Sequence, residues 1–195
     1  MKTTLTKIAC LSSLLLIINC AAFAQTSYQS KVIDITLSGT SNIHDWDMVA
    51  KSGTSSATFA VNSSGQVTSL TALSFTLPAV SLKSKHTQMD KNTYKALNAT
   101  KNPNISFTLT SSTLTATGGN NYQINAVGKM SIAGTTKQTD LQATGKYNPT
   151  DKSFTVTGVK KMKMTDYKVN PPKALMGTIK TGDAISIAYT IKFAK

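Results

Sequence analysis

The chain has 195 residues, with 21 Lys/Arg against 8 Asp/Glu, a formal charge of +13, and 40% hydrophobic residues. Every basic residue is Lys and every acidic residue is Asp, so the bidentate clamp that Arg provides for phosphates, carboxylates and guanine edges is missing. With Glu also absent and Thr and Ser abundant, a mainly helical protein is disfavoured. The length suits one domain.

The first 24 residues read as an export signal. Lys2 and Lys7 form a positive start, Ile8 to Ile18 a short apolar run, and Ala22-Phe23-Ala24 the small-x-small pattern of a cleavage site. The apolar run is too short to span a bilayer comfortably, and no stop-transfer pattern follows it. Cleavage after Ala24 leaves residues 25–195 as one domain, expected in the periplasm or secreted. The rival reading is a lipoprotein anchored through Cys20, for which the preceding Asn19 is awkward because a small residue is wanted there. The favoured cut removes Cys10 and Cys20 together and leaves no thiol, disulfide or cysteine metal ligand.

From residue 28 onward the pattern has period two. Ile33, Ile35 and Leu37 alternate up to Gly39, and His44, Trp46, Met48 and Ala50 share the next face, with Asp45 and Asp47 opposite. Ala57, Phe59 and Val61 lead to the turn Asn62-Ser63-Ser64-Gly65, and a longer alternation from Val67 through Leu73, Phe75 and Leu77 stops at Pro78. Residues 86–100, with Met89, Tyr94 and Leu97 and Asp90 as the expected N-cap, read as a short helical insertion. Strand faces then recur at Ile105–Leu109, Tyr122–Ile132, Thr139–Ala143, Phe154–Val156 and Ile185–Phe193. Turn signals stand at Gly118-Gly119-Asn120, Asn148-Pro149 and Thr181-Gly182-Asp183. Residues 162–176, with Pro171-Pro172, form an irregular stretch. The result is an all-β chain of eight or nine antiparallel strands, either a two-sheet sandwich or a single closed barrel. Periodicity does not separate the two.

Four stretches carry a family likeness: Gly39–Met48; Leu82-Lys83-Ser84 through Met89-Asp90-Lys91 and Tyr94–Leu97 to Pro103–Phe107; Gly128–Lys137; and Met164–Tyr167 with Pro171-Pro172 and Gly177–Asp183. In order and spacing they resemble the YceI-like family of exported lipid-binding proteins, in the branch common in Bacteroidetes-type bacteria. The resemblance implies a lipocalin-like β-barrel of about eight strands with a helical insertion near one mouth. It further implies an isoprenoid or isoprenoid-quinone chain held in the interior. The better-known branch carries an Arg-containing motif after the fourth strand; here Leu82–Met89 contains no Arg.

An apolar chain offers no charge to read, so its site needs apolar and aromatic walls. The candidate ligand-binding residues are Trp46, Met48, Phe59, Phe75, His86, Phe107, Tyr122, Met130, Leu141, Phe154, Met162, Met164 and Tyr189. From alternation alone, these side chains equally suit a filled core. The methionines suit a cavity mouth or serve as flexible filler.

No metal site is expected, because Asp45 and Asp47 face away from His44 on a strand and cysteine cannot contribute. No catalytic residue is assigned, since the sequence has no Gly-x-Ser-x-Gly elbow, HExxH helix or phosphate loop. The expected partner is an apolar lipid ligand, with transient contact to anionic membrane through the lysines of residues 160–173 and a homodimer left open; nucleic acid is not expected. The runner-up is a filled-core interaction module, and the third reading is a hydrolase-like enzyme with His44 or His86 converging on an Asp.

Overall fold

The computed structural model describes residues 24–62 and 66–195. The expected leader lies outside them except for Ala24, and the expected turn at residues 62–65 except for Asn62.

The strands are β1 (Ala24–Ser41), β2 (Asp45–Ala50), β3 (Thr54–Val61), β4 (Val67–Pro78), β5 (Asn104–Gly118), β6 (Asn121–Ile132), β7 (Thr135–Asn148), β8 (Ser153–Lys163), β9 (Lys173–Ala174) and β10 (Ile179–Ala194). A helix, α1 (Thr87–Ala96), follows β4. Every pairing is antiparallel, and β1 bonds to β10, so the sheet closes into a barrel of eight staves. The apparent surplus of strands has a simple origin. β2 pairs with the upper half of β1 and β3 with the lower half, so the two form one stave broken at residues 51–53. Closure removes the free edges that a sandwich would have to protect.

Two strands run further than their apolar alternation suggests. β1 begins at Ala24 and β5 extends to Gly118, both through Thr/Ser-rich sequence whose β preference suffices once neighbours supply the ladder. Two local expectations are corrected. Thr181-Gly182-Asp183 is not a turn but an irregularity within β10, where the register slips between Gly39↔Ile185 and Ser41↔Thr181. Gly182 lies against Thr40 there, where a Cβ would stand 2.6 Å from the Thr40 hydroxyl, while Asp183 accepts from the Thr165 N–H at 2.9 Å and its hydroxyl at 2.6 Å. Asp90 is not the N-cap of α1, a position held by His86. The Asp90 carboxylate instead accepts the Ser84 N–H at 2.7 Å and lies 2.8 Å from the Ser84 hydroxyl, tying the incoming chain to the first turn.

The helix closes part of the upper end. Thr93 donates to the Met48 sulfur at 3.3 Å, and the Tyr94 hydroxyl reaches the carbonyls of Leu82 and Val80 at 2.8 and 3.0 Å. At the lower end the barrel is solid. Phe154 is fully buried, with ring centroids 4.5 Å from Phe59, 5.6 Å from Tyr122 and 6.5 Å from Tyr147. Tyr28 and Phe193 pack edge-on against Phe59. Gly145 makes room for this plug, since a Cβ there would stand 2.6 Å from the Phe154 ring.

Candidate functional site

Above the aromatic plug the interior is not filled. The inward faces of the staves enclose a chamber of about 540 Å³, within the range of roughly 300–1,000 Å³ typical of sites that enclose a small ligand. Its walls are aliphatic and aromatic, contributed by Ile35, Leu37, Leu73, Phe75, Leu77, Ile105, Phe107, Ala126, Met130, Leu141, Ile187 and others. Polar groups concentrate at one end, where His44, His86, Gln88, Asn92, Lys163 and Lys173 form the rim. Several rim residues, including Ile43, His44, His86 and Leu175, are exposed, so the chamber opens to solvent there.

Deep in the barrel, Ser55 is a polar member of the wall, and its hydroxyl donates to the Ser74 carbonyl at 2.7 Å. Among the described residues no buried side-chain N or O lacks a partner. The lower chamber therefore offers contact area rather than orienting hydrogen bonds. Burial of apolar surface would drive binding there, at roughly 0.8 kcal/mol per CH₂.

The alternation that builds the strands also builds this wall, because inward residues recur every second position. Of the side chains singled out from the sequence, all but Tyr122 and Phe154 line the chamber. Those two lie below it, in the plug. Phe59 belongs to both, stacked on Phe154 and forming the chamber floor. His86 and Met164 stand toward the mouth. Much of the aliphatic wall was not singled out, notably Leu37, Leu73, Ile105 and Ile187, though the same alternation marks them as inward. Lys160, Leu175 and Ile179 were missed for a different reason: two belong to the irregular rim or its edge, and Lys160 is a charge on an apolar face.

Glycines shape the chamber as much as large residues do. A Cβ at Gly128 would strike the Phe107 ring, and one at Gly158 would strike the Tyr189 hydroxyl. Freed by Gly158, Tyr189 crosses the wall and donates to the Gln142 carbonyl at 3.3 Å. Burial raises the Tyr189 phenol from its usual 10.0 to about 12. The fold thus favours the neutral phenol. This contribution to stability is complete below about pH 10 and is lost as pH rises toward 12. Denaturation followed across that interval, with tyrosinate absorbance in parallel, should show a steeper loss for the native protein than for Tyr189→Phe.

The histidines make local contacts. His44 Nδ1 lies 2.7 Å from the carbonyl of Asp45, and the His86 N–H donates to the Ser84 hydroxyl at 3.0 Å. Asp45 and Asp47 are exposed on the face opposite Trp46 and Met48. Among the described residues no three His, Cys, Asp or Glu side chains come together in metal-binding fashion.

The architecture has solved counterparts. BcnA of Burkholderia cenocepacia superposes with a TM-score of 0.64 at 15% identity, over 82% of this chain and 95% of that one. A polyisoprenoid binding domain from Saccharophagus degradans, implicated in plant cell wall breakdown, gives 0.58 at 8% identity, over 89% and 99%. The YCEI protein of Campylobacter jejuni gives 0.52 at 16% identity, over 72% and 81%. No curated protein is similar enough in sequence to match the chain. These likenesses identify a common barrel, and the sequence itself matches the YceI-like domain across residues 24–193. The chain belongs to the YceI-like domain family.

Proposed function

We propose that the protein is an exported lipid-binding carrier or reservoir, holding a long apolar chain of isoprenoid type inside the barrel and releasing it without bond chemistry or a cofactor. The observation that carries the proposal is the apolar chamber of about 540 Å³, closed below by the aromatic plug and open at one rim. The polyisoprenoid-binding relative from Saccharophagus supports the choice of ligand class. The leader-like segment of residues 1–24 supports release into the periplasm or the medium, with cleavage after Ala24.

Native mass spectrometry of the mature protein from its own periplasm, followed by lipid extraction, tests the reading. The expected result is a stoichiometric adduct that extracts as a prenyl chain. A clean apo mass, together with failure to bind added isoprenoid quinones, overturns it.

The rim suits contact with an anionic membrane. Leu175 is 72% exposed and Met176 fully so, both in left-handed backbone at the tip of a loop between Lys173 and Lys180, beside the chamber mouth. Near-surface lysines contribute up to about 1 kcal/mol each on anionic bilayers, and apolar tips enter the interface. Vesicles containing anionic lipid should bind the protein, and Leu175→Ser with Met176→Ser should weaken that binding about tenfold in a flotation assay. Unchanged flotation would remove the tip from the proposal.

A further inference from the structure

β8 turns Phe154, Val156, Gly158, Lys160 and Met162 toward the barrel interior, while Val159 and Lys161 point outward and the exposed Lys163 ends the strand at the chamber rim. A lysine on the inner period is out of character with the apolar wall around it. Solubility does not require it, since its outward neighbours already reach water. Burying a charge is costly unless it is partnered. Lys160 pairs with Asp140, Nζ to Oδ1 at 3.2 Å. The exposures are lopsided: the Lys160 side chain keeps 20% of its surface and that of Asp140 keeps 75%.

The backbone explains how the amine comes to lie there. The β7–β8 ladder runs from Asn148↔Ser153 only as far as Ala143↔Gly158. Above that point β7 continues against β6 to Thr135 and β8 against β10 to Lys163, so the two strands part. Side chains bridge the seam. Tyr189 crosses over Gly158 to the Gln142 carbonyl, and Lys160 reaches Asp140. The ammonium therefore stands in a gap of the chamber wall, with the apolar interior on one side and a solvated, exchangeable carboxylate on the other.

We propose that Lys160 is the head-group contact of the chamber and favours chains that end in an anionic oxygen group, a carboxylate or a phosphate, over neutral chains of equal length. The inference rests on the lipid-chain reading above and adds to it the polarity of the chain's end. Asp140 holds the ammonium when the chamber is empty, and the ligand's anion competes for it or shares it. Because Asp140 is mostly solvated, the exchange loses little, whereas Lys160 keeps a counter-charge in either state.

The test compares laurate, dodecyl phosphate and dodecanol, each titrated below its micelle concentration against the native protein, Lys160→Met and Lys161→Met. The native protein should bind at least one of the anionic ligands about tenfold more tightly than the alcohol. Whichever of laurate and dodecyl phosphate shows the larger ratio assigns the anion. In Lys160→Met the ratio should fall to about one, while Lys161→Met, which removes an equal charge from the outer face, should keep the native ratio. Asp140→Asn should widen the ratio by removing the competing carboxylate. Equal binding of acid and alcohol by the native protein, or a ratio that survives in Lys160→Met, overturns the head-group assignment and leaves the carrier reading intact. Failure of all three ligands to bind in a protein that takes up an isoprenoid quinone overturns the head-group assignment alone, and failure of the quinone as well overturns both.

Discussion

Phe154→Ala will destabilise the barrel by about 3–5 kcal/mol, as expected for a large buried aromatic truncated where its surroundings cannot close over the gap. Phe154 is fully buried, with three other rings within 6.5 Å of its centroid. Those neighbours stand on β3, β6 and β7, whose spacing the backbone ladders fix, so collapse into the cavity is restricted. Gly145 aggravates the loss, because the plug has no side chain behind the ring on that stave. Equilibrium urea denaturation should show a lower midpoint with an unchanged slope. Phe154 does not line the chamber, so ligand affinity measured well below the unfolding transition should change little. A loss of stability under about 1 kcal/mol would mean that the plug is not what closes the lower barrel.

The fold was legible because it is written in one repeated signal. Inward residues such as Ile33, Ile35 and Leu37, or Ile187, Tyr189 and Ile191, alternate with Thr, Ser and Lys along nearly every stave. The same signal identified most of the chamber wall. What it could not supply was the distinction between Phe154 and Phe107, which share the inward phase but differ in height along the barrel. Height depends on the shear between strands, which the register fixes and single-strand alternation does not record. Asp90 was misplaced for a related reason. An Asp a few residues from the expected helix start suits an N-cap, but Ser84 engages its carboxylate from a strand-like approach outside the helix. Thr181-Gly182-Asp183 has turn composition, yet neighbouring β1 and the Thr165 turn hold it extended. In both places a tertiary partner decided between two local conformations that the residues tolerate.

Plug and chamber divide one apolar interior into a filled part and an open part. At the lower end every inward ring meets another ring. Toward the rim, the inward side chains of opposite staves no longer meet, and Gly128 and Gly158 hold the wall thin where Phe107 and Tyr189 lie across it. The backbone ladders beside the chamber are also incomplete. The β7–β8 ladder ends at Gly158, and the stave made of β2 and β3 is interrupted at residues 51–53. An interior designed only for stability would fill this space, since unfilled volume forgoes dispersion contacts.

That division makes Met130→Trp the complementary experiment to Phe154→Ala. Met130 lies on β6 opposite Phe107 and borders the open chamber, where an indole can project without displacing the wall. Stability should stay within about 1 kcal/mol of the native protein, because the new side chain fills space rather than overpacking a closed core. Binding of a long chain should weaken about 100-fold. Excluding three or four CH₂ groups at roughly 0.8 kcal/mol each gives about 3 kcal/mol, which corresponds to that factor. Lys129→Trp, the adjacent exposed position on the same strand, adds the same indole outside the barrel and should leave affinity unchanged. Titration with an isoprenoid quinone, beside a urea denaturation curve for each variant, reads both quantities. A folded Met130→Trp protein that binds the quinone with native affinity would place the chain somewhere other than this chamber, and a carrier built on the barrel interior would no longer stand.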